Sequence, residues 1–254
     1  SDIRFQGKDE KEQFAWTTSW GVSTRLVGAL VMTHSDDDGL VLPPRLAPSH
    51  VVVIPVIRDE KSRTEVLSFC ENLVSDIRGL QYEGSPIEVE FDVRDMRGGD
   101  KAWSWVKKGV PIRVEVGPRD IAENKVFVGR RDQGMNERYG QGRDEFVASV
   151  PRLLEEIQEG LLAKAKAFRE TNTRKIDTKE EFYEYFTPKN ADKPEIHGGF
   201  ALSHWSGEED VEEQLKKDLN VTIRCIPIDS PEEEGVCVIS GKPSRRRVVF
   251  GKAY

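Results

Sequence analysis

The sequence has no apolar run approaching the roughly 20 residues that a membrane-crossing helix requires. The helical stretch from Leu26 to Met32 is far too short, so no membrane is expected among its partners. Cysteine is scarce: Cys70, Cys225 and Cys237 are odd in number and widely separated. That argues against a disulfide framework and fits a reducing, cytoplasmic location. A surplus of positive charge is also missing, since the formal net charge is −7 and the pI about 5.4. Nucleic acid could therefore be held only by local patches, not by the chain as a whole. The start, Ser1-Asp2-Ile3-Arg4-Phe5, has neither an initiator methionine nor the apolar core of a secretory signal, and reads as a cut into a longer protein. What is present is 37% apolar and 33% charged residues over 254 positions, which predicts two or three compact units with heavily charged surfaces.

The densest cluster of chemistry lies between Trp16 and Pro48. Trp16, Thr17, Thr18, Ser19 and Trp20 lead through Gly21 into Ser23, Thr24 and Arg25, and then into the apolar run. This pattern predicts a polar site on the N-terminal end of a buried helix. Ser23 or Thr24 would cap it through a hydroxyl, and Gly21 would let the backbone approach a ligand. Free amides and the Arg25 guanidinium would converge on an anion. The same pattern also suits an ordinary capped amphipathic helix with an arginine in its first turn.

Before this cluster, residues 1–15 read as a strand. After it, Asp36-Asp37-Asp38 has consecutive carboxylates without calcium-loop spacing and reads as a solvated turn. Val41-Leu42 reads as a short strand that Pro43-Pro44 stops, closing a first domain by about Ala47. The next unit opens with an unbroken apolar run, Val51 to Val56, expected of a strand buried on both faces. Val66, Phe69, Cys70, Leu73, Val74 and Ile77 then follow helical spacing, which makes Cys70 a packed thiol. Alternation at Ile87 to Val93 and Val110 to Val116, an apolar stretch at Lys125 to Val128, and a helix from Glu145 predict an α/β domain with a mixed sheet.

Between Lys101 and Arg131 eight basic residues (Lys101, Lys107, Lys108, Arg113, Arg119, Lys125, Arg130 and Arg131) face three acids, with Trp103, Trp105 and Phe127 interleaved. Cations serve phosphates and aromatic faces serve unpaired bases. Strand-edge charges around a tryptophan core would look the same. Further on, Phe182, Tyr183, Tyr185 and Phe186 read as an aromatic ladder or as core packing. His197 and His204 lack a carboxylate or nucleophile pattern in the sequence, and Gly198-Gly199 reads as a turn. Cys225, within the apolar TIRCIP segment, reads as core, and Arg245-Arg246-Arg247 as a solvated basic tip.

Four segments carry a family resemblance: TSWGVSTRL with GLVLPPRLAP, KGVPIRVEVGPRD at 108–120, TIRCIP, and SGKPSRRRVVFGKAY at the end. They resemble motif 3 and the C-terminal portion of prolyl-tRNA synthetases of the archaeal and eukaryotic type. The resemblance covers nearly the whole chain. It implies an α/β and α+β multidomain fold. Residues 1–47 would end a class II antiparallel-sheet catalytic core, 48–150 would bind the anticodon, and 151–254 would form a small α+β C-terminal domain. The implied function is ATP- and Mg2+-dependent activation of proline and its transfer to tRNA(Pro), within a homodimer.

The resemblance assigns Arg25 to ATP as the catalytic residue, with Ser23 and Thr24 beside the nucleotide. Ser19, Trp20 and Gly21 fall at the proline pocket. Arg113, then Lys107, Lys108, Arg119 and Arg130, fall on tRNA, with Val106 standing where relatives often carry an acid. Ser206, Val211, Cys237 and Ser240 occupy the places of a four-cysteine zinc site, so no structural zinc is expected. The terminal Lys252-Ala253-Tyr254 would dock back toward the catalytic domain, implying a native C-terminus. Motifs 1 and 2 have no counterpart, so this chain alone is expected to be inactive in aminoacylation. A non-catalytic tRNA-binding or regulatory paralogue, or a metal-dependent interaction module, remain the alternatives.

Overall fold

A computed structural model describes residues 2–57, 59–134, 136–190, 192 and 198–252. The expectations for His197 and for docking of Tyr254 lie outside these residues. The chain divides into two units, 1–158 and 159–254.

The first unit begins with a short hairpin, β1 (Arg4–Gln6) paired antiparallel with β2 (Glu12–Phe14), where a single strand was expected. Then follow α1 (Arg25–His34) and a 3-10 turn at Pro44–Leu46. No strand forms at Val41-Leu42. Instead Leu40 and Leu42 donate to the carbonyls of Lys107 and Gly109, covering a helix end that would otherwise leave its last acceptors free. Glycine is required on both sides of this contact. A Cβ at Gly39 would lie 2.6 Å from Lys107 Cα, and one at Gly109, whose φ is +74°, 2.7 Å from the Leu40 carbonyl.

The central sheet is mixed, as expected. It is built from β3 (Val51–Pro55), α2 (Glu60–Arg78), a small hairpin of β4 (Gln81–Tyr82) and β5 (Ser85–Pro86), then β6 (Val89–Phe91), α3 (Gly98–Lys108) and β7 (Ile112–Val116). After α4 (Pro118–Ala122) come β8 (Lys125–Arg130) and β9 (Arg138–Gly142). The strand order is β6-β3-β7-β8-β9, with β3 parallel to both β6 and β7 and the last two strands antiparallel. β3 is buried along its whole length, as its unbroken apolar run requires.

The crossovers through α2 and α3 run in opposite directions along the sheet, so right-handed connections place the two helices on opposite faces. Val52 and Ile54 accordingly pack with Ala102 of α3. From α2, Val66, Cys70, Leu73, Val74 and Ile77 are buried, and burial pushes the Cys70 thiol up to about 12, an inert packed group. The chain therefore leaves β3 for one side of the sheet and returns on the other. In such sheets the strands' carboxyl ends flank a crevice at this switch of direction.

The helix α5 (Arg143–Thr171) leads into the second unit. Its sheet, in the order β10-β11-β15-β12, comprises β10 (Thr173–Lys175), β11 (Phe200–His204), β12 (Val221–Cys225) and β15 (Arg247–Lys252). α6 (Lys179–Phe186), α7 (Glu209–Leu219) and a hairpin of β13 (Gly235–Val236) and β14 (Pro243–Ser244) complete it. Phe182 and Phe186, fully buried, pack tilted with ring centroids 5.0 Å apart, and Phe182 meets Phe250 edge-on at 5.1 Å. These aromatics are core.

Three expectations need correcting here. Cys225 is exposed, because the register slips between Ile223 and Cys225 at the end of the sheet's edge strand. Gly199 serves close packing, since a Cβ there would collide with the Tyr185 hydroxyl. Arg247 belongs to β15 and is buried, bonded to Glu233 at 3.0 Å and Asp177 at 2.6 Å, so the basic tip reduces to Arg245 and Arg246.

Candidate nucleic-acid interface

The N-terminal cluster is open. Trp16 and Trp20 are fully exposed, Ser19, Gly21, Ser23, Thr24 and Arg25 are exposed, and among the described residues a Cβ built at Gly21 meets nothing within 4 Å. Thr24 is the N-cap of α1 but makes no side-chain bond, so the expected hydroxyl cap is absent. Nor is α1 buried. Its apolar residues Leu26, Val27 and Leu30 line an open groove whose wall outside the helix, among the described residues, is Leu46, so within those residues the amphipathic pattern has formed a helix with little covering its apolar face.

The basic stretch from Lys101 to Arg131 sorts by burial. Lys107 and Lys108 stand exposed on the last turn of α3, their ammonium groups 5.6 Å and 4.1 Å from the ring centroids of Trp103 and Trp105. Cations held on indole faces next to open solvent are well suited to phosphate and base together. Arg119 is exposed beside a cleft of about 410 Å³ at the carboxyl ends of β3 and β7, with Val56, Asp59, Glu115, Asp120 and Phe127 as further walls.

The other arginines point elsewhere. Arg113 is buried, its Nε donating to Glu115 at 3.2 Å, and burial pulls its guanidinium below the usual range. Arg130 forks onto Asp132 at 3.0 and 2.8 Å and reaches Glu156 at 3.1 Å. Arg131 is buried, donating to the Val106 carbonyl and gripping Asp36 at 2.8 and 2.6 Å. The acidic triplet is thus anchored at its first member rather than merely solvated, and Arg131 holds the Asp36 carboxyl below its ordinary value. Val106 itself is buried, offering no functional group at the surface.

Sequence reading missed the group that organises this region. Asp92 falls on the polar side of the alternation yet is buried immediately after β6. Its carboxylate accepts from Arg94 at 2.8 and 2.6 Å and from the Trp105 indole at 2.7 Å, and its carbonyl accepts from Lys101 at 3.2 Å. The Arg94 fork brings its pKa down to about 2. Arg94 at the second position after Asp92 is the available signal, but alternation alone gives no reason to bury Asp92.

In the second unit, Ser206 Oγ lies 3.2 Å from Ser240 Oγ, and the Ser240 amide donates to Cys237 Sγ at 3.5 Å. Three of the four zinc-site positions are therefore neighbours, while Val211 packs into the core. Burial pushes the Cys237 thiol up, but hydrogen bonds from Ser240 more than offset it and leave the group below its ordinary value. Two serines, one cysteine and a valine do not make the four donors of a structural zinc site, and among the described residues no cluster of three ligating side chains forms. Elemental analysis of the purified chain is expected to find zinc far below one per chain; a near-stoichiometric content would overturn this assignment. His204 is buried with Ser244 Oγ at 3.2 Å, and the carboxylate that the sequence did not suggest is Glu233, 3.8 Å from Nε2 and committed to Arg247.

Comparison with known proteins bears on both units. Residues 50–153 match the family model for the anticodon binding domain, and residues 193–254 match that for the prolyl-tRNA synthetase C-terminal domain. The whole chain is 51% identical to proline–tRNA ligase 2 of Anaeromyxobacter dehalogenans and 48% identical to the proline–tRNA ligase of Bdellovibrio bacteriovorus, covering 50% of each. Over its whole length the chain is similar to proline–tRNA ligases. It spans about half the length of the curated relatives it matches; a third, from Rhodopirellula baltica, is 48% identical with 49% covered. The anticodon-binding family model covers the mixed sheet with its exposed lysines and the Arg119 cleft, and the prolyl-tRNA synthetase C-terminal model covers most of the second unit.

Proposed function

We propose that this chain is the tRNA-reading portion of a cytoplasmic, homodimeric proline–tRNA ligase. The observation that carries the reading is the pairing of Lys107 and Lys108 on tryptophan faces with the Arg119 cleft, inside a segment that matches the anticodon binding domain. The functional division is 1–47 as the end of the catalytic core, 48–150 as anticodon reader, and 151–254 as C-terminal domain.

In the whole enzyme the proline carboxylate attacks the α-phosphate of ATP, releasing pyrophosphate with Mg2+ as part of the nucleotide substrate. A terminal ribose hydroxyl of tRNA(Pro) then attacks the acyl carbonyl and releases AMP. Such chemistry needs positioning and charge neutralisation more than acid–base groups. Arg25 is assigned to the ATP phosphates with Ser23 and Thr24 beside them, and Ser19, Trp20 and Gly21 to proline. The remaining walls of that site are assigned to the half of the family's length that this chain does not span, so the chain alone should not aminoacylate. Arg113 acts on base recognition through Glu115, which it orients in the cleft wall. Arg130, committed to two carboxylates, should contribute least among the tRNA residues.

Titrating the chain with tRNA(Pro) and with an anticodon-swapped tRNA at two salt concentrations tests the reading. Binding that weakens with salt and drops on the swap is expected. Equal affinity for both tRNAs would leave only a nonspecific basic surface and overturn it.

A further inference from the structure

A second, smaller cleft lies on the other side of β3, at the carboxyl ends of β3 and β6. Its volume is about 140 Å³, and Val56 walls both this cleft and the one beside Arg119. Arg63 from α2, Arg94 from the β6–α3 connection and Lys101 from α3 line it, against the single acid Asp95. The charge of Asp92, behind it, is taken up by Arg94. The balance facing the cleft is positive.

Two features point to an anion. Lys101 is 4% exposed, and among the described residues its ammonium has one hydrogen bond, to the Asp92 carbonyl. Two further N–H donors remain, and a buried ammonium needs acceptors for them. The wall also includes Gly98, the first residue of α3, followed by Gly99. Neither glycine has a positive φ, and a Cβ at either would meet no atom within 4 Å. Neither backbone conformation nor packing within the described residues demands glycine there. What these residues provide is a bare helix N-terminus whose amides an anion can approach closely.

We propose that this cleft binds one phosphate group. Resting on the function proposed above, that group is an RNA phosphodiester adjoining the nucleotide whose base enters the Arg119 cleft. Arg63 and Lys101 become tRNA-positioning residues that the family resemblance did not mark.

The test uses the full chain and an anticodon stem–loop of tRNA(Pro) in which loop phosphates are replaced one at a time by neutral methylphosphonates. Arg63→Gln is the first variant, because Arg63 is exposed and among the described residues its one ion pair is with Glu60 at 3.8 Å. It should lower the slope of log affinity against log salt by about one. It should also abolish the penalty of one particular methylphosphonate while leaving the other penalties intact. Lys101→Met, checked for an unchanged melting profile, should reproduce the loss at the same phosphate.

An unchanged salt slope with every methylphosphonate penalty preserved overturns the site. Broadening of the 31P line of inorganic phosphate that Arg63→Gln removes, without coupling to any RNA phosphate, would assign the cleft to a free phosphoryl compound and overturn the RNA source. Coupling that persists while the anticodon swap has no effect would keep the phosphate site and sink the anticodon reading.

Discussion

Replacing Arg25 by alanine in the full-length enzyme is expected to lower proline-dependent ATP–pyrophosphate exchange by about 10²–10³-fold, the scale on which one donor to a developing phosphate charge acts. The same change in this chain should leave the melting temperature unaltered. Arg25 is exposed at the start of a helix with no buried residue, and no ion pair or side-chain hydrogen bond holds it among the described residues. Surface changes of that kind fall within about 0.5 kcal/mol. The two readouts together separate a ligand contact from a structural role. Exchange at the unmodified rate would remove the ATP assignment and, with it, the reading of residues 1–47 as the end of the catalytic core.

The largest effect on stability is expected at Asp92. Asp92→Ala removes, at a buried position, the acceptor for the Arg94 fork and the Trp105 indole. Breaking a buried ionic network by removing one partner costs about 3–5 kcal/mol. Urea unfolding should show this as a fall in midpoint. A loss below about 1 kcal/mol, the usual worth of an exposed pair, would mean the network is not structural.

The acid limb gives an independent check. With a folded pKa of about 2, below the ordinary 3.8, the Asp92 carboxylate stabilises the fold fully above the unfolded value. That stabilisation, at most about 2 kcal/mol, is lost as pH falls from near 3.8 through 2. Asp92→Asn should make that part of the pH profile shallower, leaving the slope that Asp36, Glu208 and Glu233, also held low, still contribute.

Much of the central sheet was legible from residue pattern. The Val51–Val56 run, the helical spacing from Val66 to Ile77 and the alternation around Val114 each correspond to an observed element, because each pattern has one period and one way to be buried. α3 is not legible in the pattern: Gly98, Gly99 and Asp100 are weak helix formers, and its tryptophans read equally as base-stacking groups among charges or as a small core behind strand-edge charges. The fate of individual arginines was equally hidden. Arg113, Arg130 and Arg131 look like Lys107 and Lys108 in sequence, yet carboxylates at Glu115, Asp132 and Asp36 take up all three. The Asp36 partner lies far away along the chain, where no local rule reaches.

Apolar periodicity and turn chemistry determined, from the sequence by itself, that this chain would make a mixed α/β sheet with Cys70 in its core, while the aromatics of the second unit were left open between a ladder and core packing. The long matching motifs pointed to the prolyl-tRNA synthetases. Only the tertiary structure decided which cations face solvent, that Asp92 is the buried hub, that Cys225 lies outside, and that two clefts flank the end of β3. Hydrophobic burial is additive along a chain and leaves a period to read. Charge pairing and cleft formation depend on which elements meet in space, and that is set only when the sheet closes around β3.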